Sequence, residues 1–594
     1  MQHLPRLFLA AVALATLAGL DFRQTAAAQN AGQTAGQTAG QPEAASGWTA
    51  KTVTRTREEM IVAANPIAAQ TGAAILAAGG SAADAAIAAQ AMLGLVEPQS
   101  SGLGGGGFFL HWRAADRSLT SLDARETAPM AATPELFLAP DGKPLAFFDA
   151  VVGGRSVGTP GVPALLWETH QRWGKLPWAA LFAPTIKLAE EGFAISPRLA
   201  RLIAGDKYLA RDPAARAYFY LPDGAPKPAG TILKNPDYAA TLRKLAEAGP
   251  SGFYKGPIAE AIVAAAGAEP NPGKLATSDL AAYQVKERAP VCGPYRGHRI
   301  CSMGPPSSGG LTLLQMLAML EPHDLKSLGP QSPTAIHLMA QASALAYADR
   351  DSYLADPDFA PSPVRGLLDP GYLRDRGREI APDARFAPAK PGVPPERAGQ
   401  APPPAGVTLE IPATTHLSII DREGNAVAFT TTIEDAFGAR RMVGGFLLNN
   451  QLTDFSFRPE ADGKPVANRV EPGKRPRSSM APTMAFDASG KLAFVAGSPG
   501  GSRIIGYVAR TVVGLLDFDL DAQSAVNLPN VTNRNGGTDL EAGTSAAQWR
   551  EALEALGHKV AVTDMTSGLH VIRARPDGLE GGADPRREGV ALGR

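Results

Sequence analysis

Thr414 and Thr432 are two hydroxyls whose spacing in this sequence could do chemistry. They lie in two runs rich in β-branched and aromatic residues, Ala413 to Asp421 and Ala426 to Thr432, on either side of Arg422-Glu423-Gly424-Asn425. That pattern reads as a β-hairpin. Paired positions in an antiparallel hairpin have a constant sum. A turn centred on Glu423 therefore sets Ile420 opposite Ala426 and Thr414 opposite Thr432, with Cα atoms about 4.5 to 5.5 Å apart. One hydroxyl then stands beside another at the mouth of a strand, where a nucleophile and its orienting partner would sit. The alternative is an ordinary hairpin that uses threonine for its β-propensity.

Further motifs follow in order. They are Leu448-Asn449-Asn450-Gln451-Leu452-Thr453-Asp454-Phe455, then Lys474-Arg475-Pro476-Arg477-Ser478-Ser479-Met480, then Gly497-Ser498-Pro499-Gly500-Gly501-Ser502-Arg503. Together with Thr414-Thr415-His416-Leu417-Ser418-Ile419-Ile420-Asp421, their order and spacing resemble the γ-glutamyltransferase family of N-terminal-nucleophile hydrolases. The resemblance implies an α+β fold, an αββα sandwich built from a large and a small subunit of one self-cleaved precursor. It places the cut between Ala413 and Thr414, so the large subunit would be 48–413 and the small subunit 414–594.

Within that resemblance Thr414 is the nucleophile. A threonine hydroxyl reacts poorly near neutrality unless a base takes its proton, and a free α-amino group of pKa about 7.7 to 8.0 suits that task. A threonine at a chain terminus carries its own base, which explains a need for cleavage before turnover. Thr432 would hold the Thr414 hydroxyl. The N–H groups of Gly500 and Gly501 would meet the oxyanion, since glycine lets backbone approach without a side chain in the way. Arg125, Ser478 and Ser479 fall on the positions that bind the donor's α-carboxylate. Glu434, Gln451 and Asp454 fall on those that meet its α-ammonium.

Glu434 departs from the Asn expected at its position. The departure is compatible with a glutaryl donor that lacks the amine. Charge argues the other way, because two carboxylates facing a glutaryl chain would have no cation to meet. The resemblance therefore implies a γ-glutamyltransferase and glutathione hydrolase that passes the acyl group to water or to an amino acid or peptide acceptor, with no cofactor. A glutaryl-type cephalosporin acylase of the same fold is the alternative enzyme. An unprocessed, inactive binding protein is the alternative from another class, opposed by the intact Thr414, Thr432 and glycine pair. The stretch between Asp454 and Ser478 is short, polar and without Tyr, where some relatives carry a longer aromatic lid, so an open pocket is expected.

The elements that must position these residues can be read along the chain. Met1 to Ala28 has Arg6, an apolar run and Ala26-Ala27-Ala28, the pattern of a secretory signal; export to the periplasm or beyond is expected. A small polar tract at 29–47 has nothing to bury and reads as a disordered linker. Asn65-Pro66 opens one Ala-rich helix, and Ser81 with Asp84 opens another. Gly102 to Gly107 leads into the apolar strand Phe108 to Trp112; lying before a strand instead of opening a helix, it is a poor phosphate loop. The end of the large subunit, 381–406, is Pro-rich and expected to be flexible.

Lys plus Arg and Asp plus Glu balance at 57 each, so neither nucleic acid nor an anionic membrane surface is indicated as a partner. No membrane span is expected once the signal is removed. The nine His show no ligand spacing, and no metal site is expected. The two cysteines, Cys292 and Cys301, flank residues that can turn the chain back, so a disulfide is the preferred reading for an exported protein, with two free thiols as the alternative.

Overall fold

The computed structural model describes residues 47–406, 408 and 413–594. The expected signal and nearly all of the expected linker lie outside the described residues. The rest is an α+β sandwich of two seven-stranded sheets. In the sheet that carries the hairpin, the strands run in spatial order Val590–Gly593, Met60–Ala63, Ala413–Ile420, Ala426–Glu434, Gly106–Arg113, Ser118–Ala124 and Lys286–Arg288. The facing sheet runs Thr54–Thr56, Gly578–Ala583, His570–Arg575, Leu492–Gly497, Thr483–Phe486, His298–Ser302 and Val291–Tyr295. Every neighbouring pair in both sheets is antiparallel.

Strand periodicity makes the layers. Leu417, Ile419, Val427, Phe429 and Ile433 point outward into a helix-covered core. Ile420, Ala426 and Ala428 point inward and meet Met484, Phe486, Val495 and Ile572 of the facing sheet. Thr414, His416 and Ser418 share the inward parity of Ile420, so the polar residues of this strand project between the sheets.

Helices Pro66–Ala77 and Ala82–Val96 cover the outer face of the hairpin sheet. Asn65 caps the first by accepting from Ile67 N–H at 2.9 Å. Ser81 and Asp84 form a capping box on the second. The second helix is buried throughout, and its small side chains allow that close approach. Helices Gly309–Leu320, Pro333–Tyr353 and Ile504–Leu516 cover the other sheet. The sandwich is thus αββα.

Residues 381–406 contain no element beyond the three-residue turn Pro395–Arg397, yet they are tied down. Phe386 N–H donates to Leu556 C=O at 2.8 Å, and Tyr353 Oη donates to Gly392 C=O at 2.6 Å. Residues 455–470 place Phe455, Phe457 and Val470 in a core with Ala128, Leu136 and Phe137, so this stretch packs down instead of standing free. Cys292 and Cys301 sit directly opposite each other across two strands, with Cα atoms 4.1 Å apart and their sulfurs bonded. Among the described residues no helix is long and apolar enough to cross a membrane, and no group of three His, Cys, Asp or Glu side chains is placed to hold a metal ion.

Candidate active site

The hairpin register follows from its turn. Asp421 Oδ1 accepts from Glu423 and Asn425 N–H, each at 3.0 Å. Ile420 pairs with Ala426 and Thr414 with Thr432, and a shift after Ala413 then sets that residue opposite Glu434. Thr414 Oγ1 donates to Thr432 Oγ1 at 3.1 Å, and Thr432 Oγ1 donates to the Ala413 carbonyl at 2.6 Å. The N–H of Glu434 donates to Thr432 Oγ1 at 2.8 Å, fixing that hydroxyl's lone pair and hence the direction of its proton.

Deeper between the sheets, Ser418 Oγ donates to His570 C=O at 3.0 Å. Its proton is thereby committed, so the Nε2–H of His416, 3.0 Å away, donates to it, and His416 Nδ1 accepts from Thr430 Oγ1 at 2.8 Å. Complete burial holds the His416 imidazole well below its usual range and therefore neutral. This network ties the strand bearing Thr414 to the facing sheet.

Arg125 follows the strand Ser118–Ala124 and is buried. Its Nε donates to Pro476 C=O at 3.2 Å, and its Nη2 donates to Arg477 C=O at 3.0 Å and to Asp454 Oδ2. Ser478 and Ser479 come next in the same segment. Ser308 pins Ser478 C=O through its N–H at 2.7 Å and its Oγ at 2.6 Å. Arg350 Nη2 donates to Ser479 Oγ at 2.7 Å while its Nε donates to Ser308 Oγ at 2.9 Å. Arg350 and Ser308 are supporting residues that sequence reading missed. They lie far from Ser479 along the chain, Arg350 in the helix Pro333–Tyr353 and Ser308 at the start of the helix Gly309–Leu320, and no local pattern points from either to Ser479.

Glu434 sits at φ +81°, a left-handed conformation that Asn tolerates better than Glu. Its Oε2 accepts from Asn450 Nδ2, a second partner missed in the sequence although it adjoins Gln451. Gln451 Nε2 donates to Asp454 Oδ2 at 2.6 Å. Gly500 and Gly501 both have positive φ, +141° and +54°. A Cβ on Gly500 would lie 2.6 Å from Tyr507 Cε2, so glycine is required there on two counts. Arg587 Nη1 donates to Thr414 C=O at 3.0 Å, a further buried support without a signal in the local sequence.

One narrow cleft is lined by Thr414, Thr432, Arg125 and Glu434, and equally by Gln451, Asp454, Ser478, Ser479 and Gly501. Met480 and Ile504 supply its apolar wall. Gly500 adjoins the lining through Gly501. The arrangement sets a hydroxyl pair at one end of a small polar cleft and a guanidinium with two serines in the same space, which suits an acyl group carrying a carboxylate.

Known proteins resemble this chain over most of its length. Residues 68–594 match the family model described as Gamma-glutamyltranspeptidase. The chain is 39% identical over 547 residues to the glutathione hydrolase proenzyme of Escherichia coli K12, covering 90% of this chain and 91% of that one. It is 38% identical over 546 residues to the Acylase ACY 1 proenzyme of Pseudomonas sp. strain SE83, covering 90% and 93%. Among solved structures, the cephalosporin acylase from Bacillus halodurans superposes with a TM-score of 0.78 at 27% identity, covering 92% of this chain and 97% of that one.

Proposed function

Because this chain belongs to the gamma-glutamyltranspeptidase family of enzymes, we propose that it cuts itself between Ala413 and Thr414 and then uses the freed threonine to open γ-glutamyl amides such as glutathione. The observation that carries this reading is the run of hydrogen bonds from Thr414 Oγ1 through Thr432 Oγ1 to the Ala413 carbonyl. As Thr414 Oγ1 attacks that carbonyl carbon, its proton passes to Thr432, whose own proton goes to the carbonyl oxygen as negative charge develops there. Collapse breaks the C–N bond, the nitrogen recovers a proton and an ester remains. Water hydrolyses the ester and leaves Thr414 with a free α-amine. The products are a large fragment ending at Ala413 and a small fragment Thr414–Arg594, which stay together as a heterodimer.

In turnover the α-amine takes the Thr414 proton, and the hydroxyl attacks the γ-carbonyl of the donor. Gly500 and Gly501 N–H groups would receive the oxyanion. The leaving amine takes a proton and departs, and water or an amino acid or peptide acceptor resolves the acyl-threonine. Arg125, Ser478 and Ser479 would hold the α-carboxylate, with Glu434, Gln451 and Asp454 toward the α-ammonium. Export rests on the expected signal at 1–28, and the Cys292–Cys301 bond fits an oxidising compartment.

A second reading, a glutaryl acylase, draws on Glu434 in place of Asn and on the acylase relatives. Glutamate at φ +81° costs about 1 kcal/mol of backbone strain, which argues that its carboxylate is used. Assaying γ-glutamyl and glutaryl p-nitroanilides side by side separates the two. The γ-glutamyl donor is expected to be preferred; a preference for glutaryl would overturn the first reading. Glu434→Ala is expected to lower kcat/KM about tenfold or more for the γ-glutamyl donor and less for the glutaryl one, since only the former offers it a charge. Equal losses on both would remove Glu434 from amine recognition.

A further inference from the structure

Glu126, the neighbour of Arg125, is fully buried, and neither of its carboxyl oxygens has a hydrogen-bond partner among the described residues. Its approach to Arg125 is 4.0 Å, from Oε2 to Nη1, outside hydrogen-bond range. Arg125 commits Nε and Nη2 to Pro476, Arg477 and Asp454. Nη1 is the arm left over for a ligand. The carboxyl lies against glycine: a Cβ on Gly106 would come 2.5 Å from Oε2, and one on Gly158 would come 2.9 Å from Glu126 Cβ.

The charged and titratable groups around Glu126 are Arg125, Asp454, Arg475, Tyr254 and Tyr283. Both tyrosine hydroxyls donate elsewhere, Tyr254 to Pro160 C=O at 2.8 Å and Tyr283 to Arg125 C=O at 2.9 Å. An ionised carboxylate enclosed with no donor nearby except the N–H of its own residue, which makes no full hydrogen bond to it, is costly, so the cage accommodates the neutral acid. Burial, opposed by Arg125, by the N–H of Glu126 itself and by Arg475 and reinforced by the Asp454 charge, pushes Glu126 up to about 8.

We propose that Glu126 is a positioning residue for donor binding: as the neutral acid it leaves Arg125 Nη1 to the substrate carboxylate, and once ionised it draws that arm onto itself and closes the carboxylate subsite. The proposal rests on the reading of Arg125 given above. The donor then binds the protonated form, so affinity is full below the Glu126 pKa and falls as pH rises through about 8. KM should climb up to about tenfold per pH unit beyond that point, while kcat, which reports the loaded enzyme, does not follow. Deprotonation of the Thr414 amine over the same range acts in the opposite sense on rate.

The test is KM against pH, from about 7 to about 9.5, for the mature wild-type enzyme and for Glu126→Gln. Both anilide donors are used; the glutaryl one keeps the carboxylate but has no amine to titrate. The wild type is expected to show the alkaline rise in KM with either donor that it turns over. In Glu126→Gln, KM should stay within about twofold across the range. A wild-type KM independent of pH, or an undiminished rise in the variant, overturns the proposal. If the variant does not accumulate, the wild-type profile decides alone. Turnover of only the glutaryl donor overturns the γ-glutamyl reading and still tests Glu126; turnover of neither overturns both.

Discussion

Thr414→Ala is expected to accumulate as one folded, uncut chain with turnover at least about 10⁴-fold below the wild type, because the oxygen proposed to attack in both self-cleavage and catalysis is gone. The fold should survive. The Thr414 side chain makes one weak donation to Thr432, whereas the strand is held by its pairing on both sides. Thr414→Ser keeps the oxygen but loses the methyl that restricts its rotamer, so it should cut and turn over slowly. Gel analysis with N-terminal sequencing of the smaller band reads both outcomes. A start at any residue other than Thr414, or normal cleavage in the Ala variant, would place the nucleophile elsewhere and require the whole site to be reassigned.

Arg125→Ala is expected to raise KM for the donor about 100-fold or more, and to lower the melting temperature as well. The guanidinium is the cation for Asp454 and the donor to two backbone carbonyls in the segment that presents Ser478 and Ser479. Removing one member of a buried ion pair costs about 3 to 5 kcal/mol, since the other is left in a poorly solvated place. Arg125→Lys restores a charge but not the planar fork, and should recover stability more than affinity. Steady-state kinetics together with thermal unfolding separate the two effects. A KM within about threefold of wild type in the Ala variant would remove Arg125 from carboxylate binding.

The parts of the site legible in sequence are those fixed by short-range rules. A four-residue turn sets the Thr414–Thr432 register by counting, and the structure has that register. Asn65 and Ser81 announce their helices through their own side chains. Residue pattern alone yields only mixed α and β, because the layer order depends on partners such as Met60–Ala63 and Val590–Gly593, which adjoin in the sheet from opposite ends of the chain. Arg350 could not be read as a support of Ser479 for the same reason. The left-handed backbone at Glu434 escaped because it accompanies the irregular register at Ala413, which the β-branched pattern does not encode. Glu126 carries no signal in the local sequence, and only its enclosure sets it apart.

The order of strands in the two sheets bears on what a cut at Thr414 would produce. Residues before the cut supply Met60–Ala63 and Gly106–Arg113, which flank the hairpin on either side, and residues after it supply Val590–Gly593 beyond Met60–Ala63. In the facing sheet Thr54–Thr56 lies at one edge and His298–Ser302 and Val291–Tyr295 at the other, with four strands from the later residues between them. The two pieces would be braided. Neither owns a sheet, so dilution should not part them, and each made alone would present open strand edges that invite aggregation. Cleavage would thus create a new chain end inside a single cooperative body, and the pieces should melt together.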